Sequence, residues 1–179
     1  RSTPQNIVIG GDAGAFPPMV AYASVTGTVT LDSVILFLII FFWTPPHFWA
    51  LALYKQTDYG RVGIPMMPNV KGSKRTRSEI LIYSLLLFGL TLLPYWTGLG
   101  GSAYLICAVI LSGLFLYLAM RVYRSRAGDK LSDIDQSEAT LYAVRAGNKS
   151  ARNLFAFSIL YLFALFGILT IDHLLFGVA

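Results

Sequence analysis

Residues 34–54 read VILFLIIFFWTPPHFWALALY, and KQTDYGR follows at 55–61. The first stretch holds 21 residues without one Asp, Glu, Lys or Arg. A bilayer core takes about 20 predominantly apolar residues of helix. In lipid every backbone N–H and C=O must be bonded within its own segment, so such a run is a helix. Four more apolar runs flank it, at about 13–29, 80–96, 103–120 and 154–171. None alternates with the period of two that a membrane β-barrel requires. With 55% hydrophobic and only 13% charged residues, the chain has too little polar sequence to coat these runs as a soluble protein. The expected fold is all-α: a polytopic membrane helix bundle with five transmembrane helices in a single membrane domain.

Charge follows the same division. The connection between the second and third runs carries Lys55, Arg61, Lys71, Lys74, Arg75 and Arg77. The connection between the fourth and fifth carries Arg121, Arg124, Arg126, Lys130, Arg145, Lys149 and Arg152. The connections around Thr30 and Gly100 carry no Lys or Arg, and Arg1 precedes the first run. Five spans put all these cations on one side, which the positive-inside rule makes cytoplasmic. The C-terminal residues Asp172 and His173 are then expected outside. The net charge of +5 is thereby explained by topology and calls for no nucleic-acid partner. Cys107 stands alone in an apolar run and is expected to act as a small packing residue. Residues 1–11 lack the pattern of a secretory signal peptide.

Chemistry is expected where polar groups are hardest to explain. Pro45 and Pro46 remove two N–H donors inside a span, and are expected to kink or break it. His47 lies eight residues before Lys55, roughly 12 Å into the membrane at about 1.5 Å per residue. An ionisable side chain at that depth marks a functional site by default. Position alone fits equally a histidine that only hydrogen-bonds a neighbouring helix. Trp43, His47, Tyr54 and Asp58 share one helical face. That face runs from an aromatic interior to a carboxylate at the membrane rim, which suits an amphiphile with an apolar tail and a charged head. Asp58 with Lys55 and Arg61 also fits a plain exposed ion pair. Residues 62–72, VGIPMMPNVKG, are apolar for a connection and read as a lid over an opening. Lys71 within it is the cation assigned to a diphosphate, and Lys71 to Arg77 also suit anchoring to anionic lipid.

Three stretches make the sequence recognisable: Thr3-Pro4-Gln5-Asn6-Ile7-Val8-Ile9-Gly10-Gly11 with Ala13 to Pro18; Trp43-Thr44-Pro45-Pro46-His47-Phe48-Trp49 to Leu53; and Asp58-Tyr59 with Gly63-Ile64-Pro65-Met66-Met67-Pro68. Together with Asn153 to Phe155, Ser158 and Tyr161-Leu162, they resemble the haem O synthases (protohaem IX farnesyltransferases) of the UbiA prenyltransferase superfamily. The resemblance covers nearly the whole chain. It implies a nine-helix fold of which this is the C-terminal part. The short loops and the lack of a leader favour a bacterial plasma membrane over a mitochondrial inner membrane. The implied reaction moves farnesyl from farnesyl diphosphate to a vinyl group of haem B, serving haem–copper terminal oxidases directly or through haem A synthase.

The resemblance also implies roles. Asp58 matches an acidic motif and would bind Mg²⁺ or orient the diphosphate, with Lys55 and Arg61 as direct cationic contacts. His47 would contact haem, as an axial ligand. Trp43, Phe48, Trp49 and Tyr54 would shape the haem and isoprenoid cavity, and Asn6 and Gln5 would border it. The sequence departs from the pattern at Val62, where a second acid is typical, and at Asp12, which stands at an ordinarily uncharged position. The family's first acidic motif precedes the stretch seen here, so these 179 residues alone are expected to lack transferase activity, with the Trp43–His47 face meeting lipid. Two other readings share many features: a prenyltransferase for an aromatic quinone precursor, and a non-enzymatic transporter or assembly protein with paired Pro-Pro helices.

Overall fold

The computed structural model describes residues 6–56, 66–129 and 137–176. Helices α1 (Asn6–Thr26), α2 (Leu31–Tyr54), α3 (Met67–Lys71), α4 (Ser73–Leu90), α5 (Leu93–Trp96), α6 (Ser102–Tyr123) and α7 (Glu138–Phe176) make up the fold, with no strand among the described residues. Four segments are long and apolar enough to cross a membrane: Leu31–Tyr54, Ser73–Trp96, Ser102–Tyr123 and Glu138–Leu175. The chain is a multi-pass membrane protein. The 21-residue α1 is not among those four. Gly10, Gly11, Asp12 and Gly14 dilute the apolar character of its first half.

Helices α2, α4, α6 and α7 close a four-membered ring, each packed on the next, and α1 lies against α2 outside it. Ile39, Leu53, Ile80, Leu87, Phe115, Leu154 and Leu165 fill the ring. Ala50, Ala108, Ala119 and Ala151 are fully buried between them, and such small side chains let membrane helices approach closely. Local signals set the ends. Gly27 at φ +78° turns the chain out of α1. The Thr30 hydroxyl accepts from the Ser33 N–H (3.3 Å) to cap α2. Pro94 interrupts the third span after Thr91, dividing it into α4 and α5.

The ends differ from the apolar runs. The fourth helix begins at Ser73, seven residues before Ile80, so Lys74, Arg75 and Arg77 are helical. The last begins at Glu138, so Arg145, Lys149 and Arg152 lie in helix and not in a loop. Hydrophobicity marks where lipid is, whereas a helix continues into water wherever its backbone bonds do. The 39 residues of α7 span about 58 Å at about 1.5 Å per residue, longer than a bilayer of about 40–45 Å with headgroups. Nor is Asp172 a free outer tail. It is buried in the last turns of α7 and accepts a bond from the Gly101 N–H. A Cβ at Gly101 would lie 2.8 Å from the carboxylate, so a larger residue there would push the Asp172 side chain aside.

Every described Lys and Arg lies at one end of the bundle, the end opposite the Gly101–Asp172 contact. That end is tied by a polar knot. Buried Gln56 donates to the Pro68 carbonyl (3.2 Å), and Ser73 donates to the Gly128 carbonyl. Arg77 donates to the Ala127 carbonyl (2.6 Å) and pairs with Asp129 (2.7 Å). Asn148 accepts from the Gly128 N–H (2.9 Å). These bonds, with one from Ser73 to the Gln56 side-chain oxygen (3.5 Å), fasten the end of α2, α3, α4, the turn after α6, and α7 to one another.

Candidate functional site

Despite Pro45 and Pro46, α2 is helical throughout Leu31–Tyr54. The expected break is absent. Proline denies the carbonyls of Phe41 and Phe42 their usual helical partners, but tertiary packing holds the helix. Thr44, Pro45, Pro46 and His47 are all buried, enclosed by the ring helices. The Thr44 hydroxyl bonds back to the Ile40 carbonyl (2.8 Å).

His47 is the centre of an aromatic clasp between α2 and α7. Its ring stacks on Trp43 (centroids 4.4 Å, planes 19° apart) and on Phe155 (4.6 Å, 25°). Phe48 meets it edge-on at 5.0 Å. His47 Nδ1 lies 2.6 Å from Ser158 Oγ. The Trp43 indole N–H donates to the Ser158 carbonyl at 2.9 Å. One residue of α7 therefore holds two residues of α2 that sit four apart, one turn of helix.

Ser158 has a single O–H, which reaches the Phe155 carbonyl at 2.6 Å. With that hydrogen on the carbonyl, Ser158 Oγ accepts from His47 and Nδ1 carries the proton. In the neutral ring this leaves Nε2 as a lone-pair acceptor. A histidine that ligates a metal uses the same arrangement, with its other N–H bonded to a fixed acceptor.

Trp43, His47 and Tyr54 do converge, and Tyr54 meets Phe155 edge-on at 6.2 Å. Trp49 does not join them. It is 1% exposed and meets Tyr83 of α4 edge-on at 5.3 Å. Six residues after Trp43 on a helix of about 100° per residue, it faces away from the clasp and packs in the core. His47 is likewise not left facing lipid by these residues alone, because its partners Phe155 and Ser158 belong to this chain.

Lys55 is exposed at the C-cap of α2. Lys71 is exposed in the last turn of α3, while Met67 and Pro68 of the expected lid are buried against the bundle. Asn6 opens α1. Phe16 of α1 touches Phe37 of α2 (5.1 Å). Asn6 and His47 each lie ten residues from that contact, toward the same end. Asp58 and Arg61, the carboxylate and cation assigned to the diphosphate, and Gln5 lie outside the described residues. Among the described residues no cluster of His, Cys, Asp and Glu is placed to hold a metal. Asp129 and Glu79, two acids toward this end, are engaged by Arg77 and Arg75.

The UbiA prenyltransferase family matches residues 1–136. The chain belongs to that family. It is 57% identical over 173 residues to the protoheme IX farnesyltransferase of Maricaulis maris, covering 97% of this chain and 52% of that protein. The same-named protein of Caulobacter vibrioides is 55% identical, covering 94% and 52%, and that of Agrobacterium fabrum 53%, covering 97% and 50%. The chain spans about half the length of the curated relatives it matches. No solved structure matches it.

Within this UbiA chain the clasp residues on α7 were not assigned a function from sequence. Ser158 and Phe155 stand 111 and 108 residues from His47. The available signal was a serine inside an apolar run, three residues after Phe155, on the helix whose sequence resembles the family's last span. Gln56, Ser73, Arg77 and Asn148 were missed for a similar reason. Each is an ordinary polar residue until its distant partner is known.

Proposed function

We propose that this protein transfers the farnesyl group of farnesyl diphosphate to a vinyl group of haem B, making haem O. The observation that carries the reading is 57% identity, over 97% of the chain, to a protein named protoheme IX farnesyltransferase. The His47 clasp supports it, because a Nδ1-protonated imidazole offers Nε2 to the iron of the substrate haem. Trp43 and Tyr54 line the same face.

In the reaction, the farnesyl C1–oxygen bond breaks and diphosphate leaves with the electron pair. The vinyl terminal carbon bonds to farnesyl C1. The cation left on the inner vinyl carbon takes the oxygen of water, which gives up a proton. The product bears a hydroxyethylfarnesyl side chain. Lys55, Arg61 and Lys71 balance charge on the departing diphosphate, and the π faces of Trp43 and Tyr54 steady the allylic cation. Asp58 would orient the diphosphate and is the carboxylate this chain would offer to Mg²⁺. When bound, Mg²⁺ neutralises charge on the leaving group. Asn6 borders the haem cavity. The basic end faces the cytoplasm of a bacterial cell, and the haem O passes to haem–copper oxidase assembly, directly or through haem A synthase.

The test is purified full-length protein with haem B, farnesyl diphosphate and Mg²⁺, read by chromatography for haem O. Wild-type conversion that His47→Ala reduces at least tenfold, with insertion intact, is the expected result. Prenylation of an aromatic quinone precursor with no haem O formed would overturn the reading. So would absence of diphosphate release.

A further inference from the structure

A second polar feature lies at the basic end, between α6 and α7 and away from α2. It is a cleft of about 570 Å³ whose lining includes Arg121, Arg124, Arg126, Lys149, Ser150 and Asn153, with no acid among the described residues. Arg75 and Arg77 are paired with Glu79 and Asp129. Among the described residues, Arg121, Arg124, Arg126 and Lys149 have no such partner. Four like charges around one hollow repel one another unless an anion joins them.

The cleft is also built. The turn that carries Arg126 is pinned by Arg77 on the Ala127 carbonyl and by Asn148 on the Gly128 N–H. It sits directly on α7 because residue 147 has no side chain. A Cβ there would fall 2.5 Å from Ala127 N and 2.9 Å from the Arg126 carbonyl carbon. The backbone that carries Arg126 is therefore fixed against α7 before any ligand arrives.

We propose that this cleft binds the headgroup of an anionic phospholipid, and that a headgroup with two phosphates fits it best. Guanidinium forks match phosphate oxygens in pairs, and basic pockets between membrane helices at this level take such headgroups. The apolar surface below selects a lipid over a soluble anion. One and two turns inward from Arg121 come Tyr117 (57% exposed) and Leu114 (44%). Two turns inward from Asn153 comes Leu160 (61%). They give acyl chains a wall on both helices directly beneath the phosphates. Unlike the reaction proposed above, this site needs neither haem nor a prenyl donor.

The experiment uses the full-length protein in bilayer discs of phosphatidylcholine doped with diphosphatidylglycerol, with retained lipid counted by native mass spectrometry. Wild type retains diphosphatidylglycerol against excess phosphatidylcholine. At about fivefold per cation, Arg121→Gln/Arg124→Gln/Lys149→Gln loses affinity on the order of 100-fold. Lys74→Gln/Arg145→Gln/Arg152→Gln removes the same charge outside the cleft and stays within about threefold of wild type, since cations off the site contribute only a screened field. Millimolar inorganic diphosphate does not displace the lipid. If the cleft triple variant fails to assemble, Arg124→Gln alone serves, with a loss of about fivefold. Equal losses in both triple variants would reduce the cleft to a diffuse surface potential and overturn the site. Wild type that retains no diphosphatidylglycerol would do the same. Displacement by inorganic diphosphate would make the ligand a soluble anion and overturn the lipid assignment.

Discussion

Ser158→Ala removes the oxygen that receives the His47 proton and leaves the rest of the clasp in place, because Trp43 bonds to the Ser158 backbone. A buried donor left without a partner costs about 1–3 kcal/mol. Measured couplings between side chains inside membranes are smaller, about 0.6 kcal/mol on average and about 1.7 at most. The His47 ring is stacked on Trp43 and Phe155 at 4.4 and 4.6 Å, so it cannot swing to a new partner. The cost should therefore lie near the upper end of the membrane range, about 1.5 kcal/mol. In a double-mutant cycle with His47→Phe, a coupling of about 1 kcal/mol is expected. Losing an outer partner that orients a ligating histidine typically costs 10- to 100-fold in metal affinity, so haem affinity should fall at least about tenfold. Unfolding equilibria in mixed micelles give the first quantity, and Soret titration of the full-length protein gives the second. Haem affinity unchanged in Ser158→Ala but lost in His47→Ala would refute the tautomer assignment. A coupling near zero would show that the hydrogen bond holds nothing.

Asp58→Asn should lower turnover on the order of 100-fold, by analogy with losing a preorganised electrostatic group, with partial recovery at raised Mg²⁺; wild-type rates would reduce Asp58 to an interfacial charge. Arg77→Gln leaves the Ala127 carbonyl and Asp129 short of their donor. Thermal unfolding should report a loss of about 2 kcal/mol, moderated because Asp129 is partly solvated. Gly147→Ala forces the turn after α6 off α7 and should cost about 1–3 kcal/mol, as overpacking does, read in the same assay. Cysteines at positions 74 and 126 should label in intact cells only with a membrane-permeant reagent, and labelling by an impermeant one would invert the proposed topology.

The apolar run at 34–54 announced α2 because lipid leaves a backbone no other choice, and the helix begins only three residues earlier. Helix ends were less legible. Ser73 and Glu138 begin helices in polar sequence, where hydropathy carries no signal. Of the kink or break expected at Pro45–Pro46, the break is absent, because the local rule about proline leaves out the helices that enclose the pair. His47 was visible as a buried polar group, and Trp43 and Tyr54 as its neighbours by helical spacing. Trp49 was grouped with them by closeness in sequence, although its angle on the helix already placed it elsewhere. Ser158 was beyond reach, since nothing in 111 intervening residues says which hydroxyl meets which imidazole.

Apolar contacts in a membrane are nearly indifferent to a helix sliding or rotating by one residue, since lipid and leucine are alike to each other. Polar contacts are not. Four residues of the long helix α7 carry such contacts: Asn148 to Gly128, Ser158 to His47 and Trp43, Tyr161 to Ser112 (3.0 Å), and Asp172 to Gly101. A slip of one residue turns each by about 100° and shifts it by about 1.5 Å, so all four fail together. The helix thus has one permitted setting and no gradual neighbours to it. The helix α7 either seats with both ends and the middle satisfied, or it leaves buried polar groups bare along its length, each at a cost.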